Sequence, residues 1–232
     1  MQKETRESVV NFFSKAKPGK ILDVPSGSAW LSKSMKTKGW DYYGVDLYAD
    51  LSNSDSDRFK VADINKTIPF DDQTFNYFAC LEGIEHLENP HHILREASRL
   101  LKPEGVLLIS TPNPLNIKNR RKYYRSGTFL GFPHLIDMPS EGDHVHITPI
   151  NASFLIAFAE KYGLEFLSLE PIKVPVKMYR FFHRCIFIKI FSAFRYLKKD
   201  KKTKEWMKRL CSFNMLLNDG MVLAFKKPAP RA

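Results

Sequence analysis

Four acidic residues, each closing a short apolar run, constrain this chain more than any other feature. Ile21-Leu22 leads into Asp23, Tyr43-Gly44-Val45 into Asp46, Val61-Ala62 into Asp63, and Phe78-Ala79-Cys80-Leu81 into Glu82. Short apolar runs separated by helix-like stretches predict parallel strands of one α/β sheet. Ligands of such sheets bind beyond the carboxyl ends of the strands. The expectation is a crevice ringed by four carboxylates, each at a strand tip.

The remaining pattern agrees. Residues 4–16, with Val9, Val10, Phe12 and Phe13, predict an amphipathic helix ended by Pro18-Gly19. Strands are expected at 20–24, 41–46, 59–63 and 75–81, with a helix over 29–37 and a polar loop over 50–57. Ile93, Leu94, Ala97, Leu100 and Leu101 recur at helical spacing, then Lys102-Pro103-Glu104-Gly105 breaks the run before a buried strand at 106–110. Residues 112–147 are loop-rich, carrying Pro112, Pro114, Gly127, Gly131, Pro133, Pro139 and Gly142, and a loop region of that length is usually a lid or functional. A helix at 151–162 and strands at 165–169 and 220–225 complete the chain. Its 232 residues, 44% hydrophobic and 13% aromatic, exclude a wholly disordered protein and fit one domain over 1–232.

The polar opening Met1-Gln2-Lys3-Glu4-Thr5-Arg6 does not read as a secretory signal. Cys80, Cys185 and Cys211 are far apart with no CxxC pair, so reduced thiols and a cytoplasmic location are expected. The net charge of +11 is uneven. Residues 1–172 hold 20 Lys+Arg against 22 Asp+Glu, a net of −2, whereas residues 173–209 hold 13 against 2, a net of +11. A uniformly basic nucleic-acid-binding domain would look different.

The apolar runs and their neighbours together resemble the class I S-adenosylmethionine-dependent methyltransferases. The resemblance is carried by Ile21-Leu22-Asp23-Val24-Pro25-Ser26-Gly27-Ser28, Gly44-Val45-Asp46, Ala62-Asp63-Ile64 and Glu82-Gly83-Ile84-Glu85-His86-Leu87. Arg99-Leu100-Leu101-Lys102-Pro103-Glu104-Gly105 and Ile109-Ser110-Thr111-Pro112-Asn113 extend it. It implies a Rossmann-like α/β fold, a seven-stranded sheet with helices on both faces, and S-adenosylmethionine as methyl donor. It also implies a cofactor site made by Asp23, Gly27, Asp46, Asp63, Ile64 and Leu81. Gly27 suits a turn that must pass close to the methionyl part, although Pro25 and Ala29 stand where glycine is commoner. Asp46 would accept from the ribose hydroxyls, Asp63 and the Ile64 backbone would meet the adenine edge, and Leu81 would lie along the cofactor. The plainer alternatives are that Asp46 is a helix N-cap, Asp63 a surface turn residue, and Gly27 an ordinary turn.

Glu82, Glu85 and His86 follow the fourth strand, where the transferred methyl should point. Oxygen-plus-imidazole sets of this kind hold divalent cations. The Glu-x-x-Glu-His element is similar to that of metal-assisted O-methyltransferases, both the quinone-precursor family and the small-RNA 3′-terminal 2′-O-methyltransferases. That similarity implies a magnesium or manganese ion held by Glu82, Glu85, His86 and His144, the last from Asp143-His144-Val145-His146. Glu82, His86 and His144 are then the catalytic set. Such an ion lowers the pKa of an attacking hydroxyl, and an imidazole takes its proton. The plainer alternative is that Glu85-His86 caps the next helix. His91 and His92 read as solvated, His134 as a candidate for the acceptor pocket, and Lys118–Arg125 as either a phosphate grip or a solvated helix face.

Between the last two strands the family needs only a short connection, yet about fifty residues intervene, with a helical region expected at 173–215. Phe181, Phe182, Ile186, Phe187, Ile188, Ile190, Phe191, Phe194 and Leu197 are interrupted by Arg180, Arg184, Lys189 and Arg195, which makes a poor spanning helix. Residues 173–209 read as a helix lying on an anionic membrane surface, as a lid over the acceptor, or as both, with RNA contact by the same charges a third reading. The expected function is O-methylation of a small-molecule or lipid-linked sugar or quinone-type hydroxyl. The alternatives are a metal-dependent RNA 2′-O-methyltransferase and a non-catalytic cofactor-binding partner subunit.

Overall fold

The apolar runs are strands. In the computed structural model, which describes residues 1–36, 39–48, 58–132 and 145–230, seven of them form one sheet: β1 (Lys20–Asp23), β2 (Asp41–Asp46), β3 (Phe59–Val61), β4 (Phe75–Leu81), β5 (Leu101–Pro112), β6 (Glu165–Leu169) and β7 (Gly220–Lys226). Their order is β3-β2-β1-β4-β5-β7-β6. β1 to β5 pair in parallel, and β7 runs antiparallel between β5 and β6. The chain order reverses between β1 and β4, the switch point where such sheets bind ligands.

Both faces of the central strands are covered, which is why they read as continuous apolar runs. Leu22, Phe78, Cys80, Leu107 and Ile109 pack with α3 (Pro90–Leu100) and α5 (Ala152–Lys161). Their neighbours Ile21, Ala79, Leu81 and Leu108 turn the other way, toward α1 (Lys3–Lys15) and α2 (Trp30–Lys36). All three cysteines are buried and unpaired.

The structure departs from the sequence expectations at its edges. β3 stops at Val61, so Asp63 lies beyond the strand rather than at its tip. β5 begins at Leu101, which pairs with Phe75; Lys102–Gly105 then bulges, with Glu104 at φ +68°, before Val106 resumes opposite Tyr77. Within the loop-rich stretch, α4 (Ile117–Ser126) is a helix because Asn116 caps its start, accepting from the Asn119 amide at 2.8 Å. Gly127, at φ +66°, ends it. The polar 50–57 loop lies outside the described residues.

Between β6 and β7 stand a 3₁₀ turn (Val176–Phe181), α6 (Phe182–Arg195), α7 (Lys201–Leu210) and α8 (Phe213–Leu217). The 3₁₀ turn, α6 and α8 share a small core of Met178, Cys185, Leu216 and Leu217, while Trp206 and Leu210 of α7 pack against the main core. Buried Asn113, just past β5, ties this insertion to the sheet by donating to the carbonyls of Met215 (2.7 Å) and Asn218 (3.0 Å). No helix among the described residues is long and apolar enough to cross a membrane.

Candidate active site

The carboxyl ends of β1, β2 and β4 open onto a cleft of about 730 Å³, within the usual range for small-molecule sites. The turn after β1 supplies Pro25 to Ser28, β2 supplies Asp46 and the residues just after it, and Ala62 to Asn65 follow β3. Leu81, Glu82, Gly83, His86 and Leu87 come from the end of β4 and the turn behind it, while Arg6, Trp30, Val145 and His146 complete the wall.

Gly27 adopts φ +50°, and apart from its chain neighbours no described atom lies within 4 Å of where its Cβ would stand. A side chain there would both strain the turn and enter the cleft. Its amide donates to Asp46 Oδ2 at 2.8 Å, and the Tyr48 amide donates to Oδ1 at 3.3 Å. Asp46 is buried and braces the β1 turn against β2. A carboxylate has about four acceptor positions, so two remain. Gly83 is needed for close approach: a Cβ would stand 2.2 Å from Pro25 Cδ.

Asp63 lies on the cleft with its Oδ1 accepting from the Asn65 amide (2.9 Å) and side chain (3.1 Å). The amide bond chiefly holds its carboxyl below the ordinary range. Ile64 and Leu81 line the same cleft. Asp23 does not. It is buried beneath the turn, accepting at Oδ2 from the Tyr42 hydroxyl (2.9 Å) and leaving Oδ1 without a partner. Burial pushes its carboxyl up to about 8, with the nearby Asp46 charge adding to it. Asp23 is the last residue of β1 and faces Tyr42 on the neighbouring strand, so the expected cofactor contact is replaced by a structural one.

The Glu-x-x-Glu-His element divides. Glu85 and His86 sit on a 3₁₀ turn (Ile84–His86), and with His146 they place one potential ligand atom each within 4.8 Å of one another. Glu85 is fully buried; Oε2 accepts from the Thr111 hydroxyl at 3.0 Å, whereas Oε1 has no hydrogen-bond partner and lies 3.9 Å from His146 Nε2. His86 Nδ1 lies 2.9 Å from the Val145 carbonyl. A carbonyl only accepts, so Nδ1 carries the proton and Nε2 the lone pair, the tautomer a metal ligand needs. The two imidazoles meet edge to face at 4.7 Å. Burial, and then the neighbouring His86, hold His146 below the usual histidine range. Burial and then the Glu82 charge raise Glu85.

Glu82 stays out of this cluster. It adopts φ +54°, uncommon for a residue with a side chain and costing about 1 kcal/mol or more. That conformation turns its carboxylate to the Ser110 hydroxyl, which donates at 3.1 Å. Burial raises its carboxyl as well. His144, expected as the late-loop ligand, lies outside the described residues, as do Asp143 and His134. Among the described residues, His146, two positions on, stands in the cluster. The only sequence signal for it was the His-x-His pair, and spacing alone does not separate the two members. His91 and His92, expected to be solvated, are half-buried: His91 packs on Phe158 at 3.9 Å, and His92 Nε2 meets the Lys66 carbonyl at 2.8 Å.

A switch-point cleft with an open glycine turn and an acidic residue ending β2 defines the dinucleotide-like, adenosyl-binding class of α/β protein. A family model described as a methyltransferase domain matches residues 1–169, and the chain belongs to that family, the class I S-adenosylmethionine-dependent methyltransferases. It is 27% identical over 160 residues to a ubiquinone biosynthesis O-methyltransferase of Coxiella burnetii, covering 66% of each chain. It is 28% identical over 159 residues to a protein of that name from Glaesserella parasuis, covering 63% of this chain and 65% of that one. The chain thus spans about two thirds of the length of these curated relatives. Among solved structures, a SAM-dependent methyltransferase of Methanosarcina mazei matches with a TM-score of 0.58 at 15% identity, covering 95% and 98% of the two chains. The cyclase SpnF matches at 0.56 and 15%, covering 98% and 81%. At such identities these likenesses show the fold alone.

Proposed function

We propose that this chain transfers the methyl group of S-adenosylmethionine to a hydroxyl of a small, quinone-type or lipid-linked acceptor, with a divalent cation held by Glu85, His86 and His146. The observation that carries this reading is the fully buried Glu85 Oε1, without a hydrogen-bond partner and flanked by two imidazoles. A buried carboxylate oxygen so placed is costly unless a proton or a cation meets it. Two nitrogens and one oxygen suit manganese, iron or zinc better than magnesium, which prefers oxygen alone.

S-adenosylmethionine supplies an electrophilic methyl on a sulfonium, and a cation at the cluster would supply Lewis acidity toward the acceptor oxygen. The chain's own residues do the rest. Asp46 accepts from the ribose hydroxyls with its two remaining positions, while Asp63 and the Ile64 backbone meet the adenine. Gly27 leaves room for the methionyl part. Glu82 lines the cleft next to the cluster without belonging to it, so it is the group to take the hydroxyl proton. Its raised carboxyl is a better base than an exposed one.

Among the described residues, none of the 173–215 insertion lines this cleft. Its charge therefore gives no support to a lid or to an RNA end held over the donor. It supports the finer reading that residues 173–209 contact an anionic membrane surface from which a lipid-linked acceptor is drawn. The test is methylation of a catechol acceptor by chelator-treated protein. A loss of at least about tenfold, restored by manganese, is expected from the effect of disturbing metal sites. Activity indifferent to chelator removes the cation, and no turnover of catechols or quinols with cation present removes the acceptor class.

A further inference from the structure

The helical insertion carries a second cavity, remote from the chemistry. It measures about 430 Å³ and lies between α6 and α7. Ala193, Leu197, Met207 and Cys211 give it an apolar floor, and the stems of Lys189, Lys204 and Lys208 form its sides. All three lysines are exposed; the Lys189 ammonium stands 4.0 Å over the Phe213 ring, and long lysine stems of this kind cover apolar wall while the charged head reaches water. Lys204 and Lys208 are one helical turn apart, a like-charge pair that an anion would relieve. No acidic residue lines the cavity.

The mouth runs onto an unusual surface. Leu197, exposed just past the end of α6, lines the cavity, and on α6 itself Phe187, Phe191 and Phe194 are 71%, 61% and 70% exposed. Apolar surface on that scale in water marks a docking site. A second copy of the chain is a poor occupant, because residues 173–209 carry 13 basic and 2 acidic side chains, and apposing two such faces would oppose like fields. An anionic amphiphile meets both halves of the pattern.

We propose that the α6–α7 cavity seats one anionic membrane lipid, its hydrocarbon chain on Ala193, Leu197 and Met207 and its phosphate at Lys204 and Lys208. The exposed phenylalanines of α6 then enter the surrounding lipid. This rests on the membrane reading of the insertion given above, but not on methyl transfer, and its test reads binding alone.

The full-length chain is titrated calorimetrically with lysophosphatidylglycerol below its critical micelle concentration. Saturable one-to-one binding is expected, at least tenfold weaker for lysophosphatidylcholine and undetectable for glycerol phosphate. Ala193→Trp or Met207→Trp, each filling the cavity, should weaken binding at least tenfold, and Lys204→Ala with Lys208→Ala about as much. Each variant's S-adenosylmethionine affinity and melting curve confirm that it folds. Unsaturable partitioning that ignores both tryptophans overturns the proposal, leaving a general lipid-adhesive face. Glycerol phosphate binding as tightly as the lipid leaves an anion site only. A chain dimer that dissociates on Ala193→Trp makes the face an interface between copies, and also overturns it.

Discussion

The donor cleft and the helical insertion are built on opposite principles. In the cleft, polar groups converge at strand tips: Asp46 is held by two backbone amides and Asp63 by Asn65. Parallel pairing fixes those positions to within a residue, so a ligand meets a preorganised wall. In the insertion, the apolar side chains exceed what a small core can bury, and Met178, Cys185, Leu216 and Leu217 leave much of α6 in water. The cleft is defined by what it holds together, the insertion by what it leaves uncovered. Perturbing the first should change affinity and rate, while perturbing the second should change location and spare both.

The largest effect should come from Glu82→Gln. If Glu82 is the proton acceptor, kcat falls by about 10²–10⁴, with cation content and S-adenosylmethionine affinity unchanged. Loss of the cation instead would return Glu82 to the ligand set. Asp46→Ala comes next. It removes the acceptor for ribose hydroxyls and the brace on Gly27, charge-assisted hydrogen bonds worth about 1.5–3 kcal/mol each. A rise of about 10² in the calorimetric Kd for S-adenosylmethionine is expected, and an unchanged Kd would detach Asp46 from the cofactor.

How far the sequence disclosed these two regions follows from the same contrast. Gly27, Asp46, Asp63, Ile64, Leu81 and Glu82 reach one cleft because consecutive parallel strands bring their carboxyl ends to one edge, a rule that needs only the order of apolar runs. Asp23 obeyed the pattern yet points to Tyr42, since a strand's final residue faces either side and nothing local says which. The late-loop histidine was ambiguous for a related reason. His144 and His146 stand two positions apart, and what brings His146 to the cluster is Glu85 and His86, distant in sequence. The α6 surface was legible as apolar and basic, but the cavity beside it depends on how α7 returns, which no periodicity encodes.

Asp23 offers a smaller test, confined to the buried side of the cleft. Its carboxyl, raised to about 8 by burial, holds a proton in the folded state that the unfolded chain releases near pH 4. Where the folded state binds more protons, stability falls as pH rises, here between about pH 4 and 8. Asp23→Asn keeps an acceptor for the Tyr42 hydroxyl and removes the titration. Its melting temperature relative to wild type should therefore climb from pH 5 to pH 8, by up to about 1.4 kcal/mol of stability per pH unit, the slope of one proton difference. Tyr42 and Asp46 are unchanged in both proteins, so the difference isolates Asp23. A pH-independent difference would mean that the carboxylate is already ionised and solvated.

The smallest effect on stability, and the sharpest separation of the two regions, belongs to Phe187→Ser with Phe191→Ser. Both rings stand mostly in water and stack on each other at 6.4 Å. Replacing exposed residues of this kind changes stability by about 0.5 kcal/mol or less. Removing them deletes apolar area that only a partner buries, worth about 1.5–3 kcal/mol per ring on full burial. Co-sedimentation with phosphatidylglycerol vesicles should therefore fall at least tenfold, while turnover of a soluble catechol acceptor stays within twofold of wild type. If vesicle binding persists, lysines alone hold the surface, and raising salt should release the protein. If turnover of the soluble acceptor falls instead, α6 reaches the chemistry, and the separation between cleft and insertion fails.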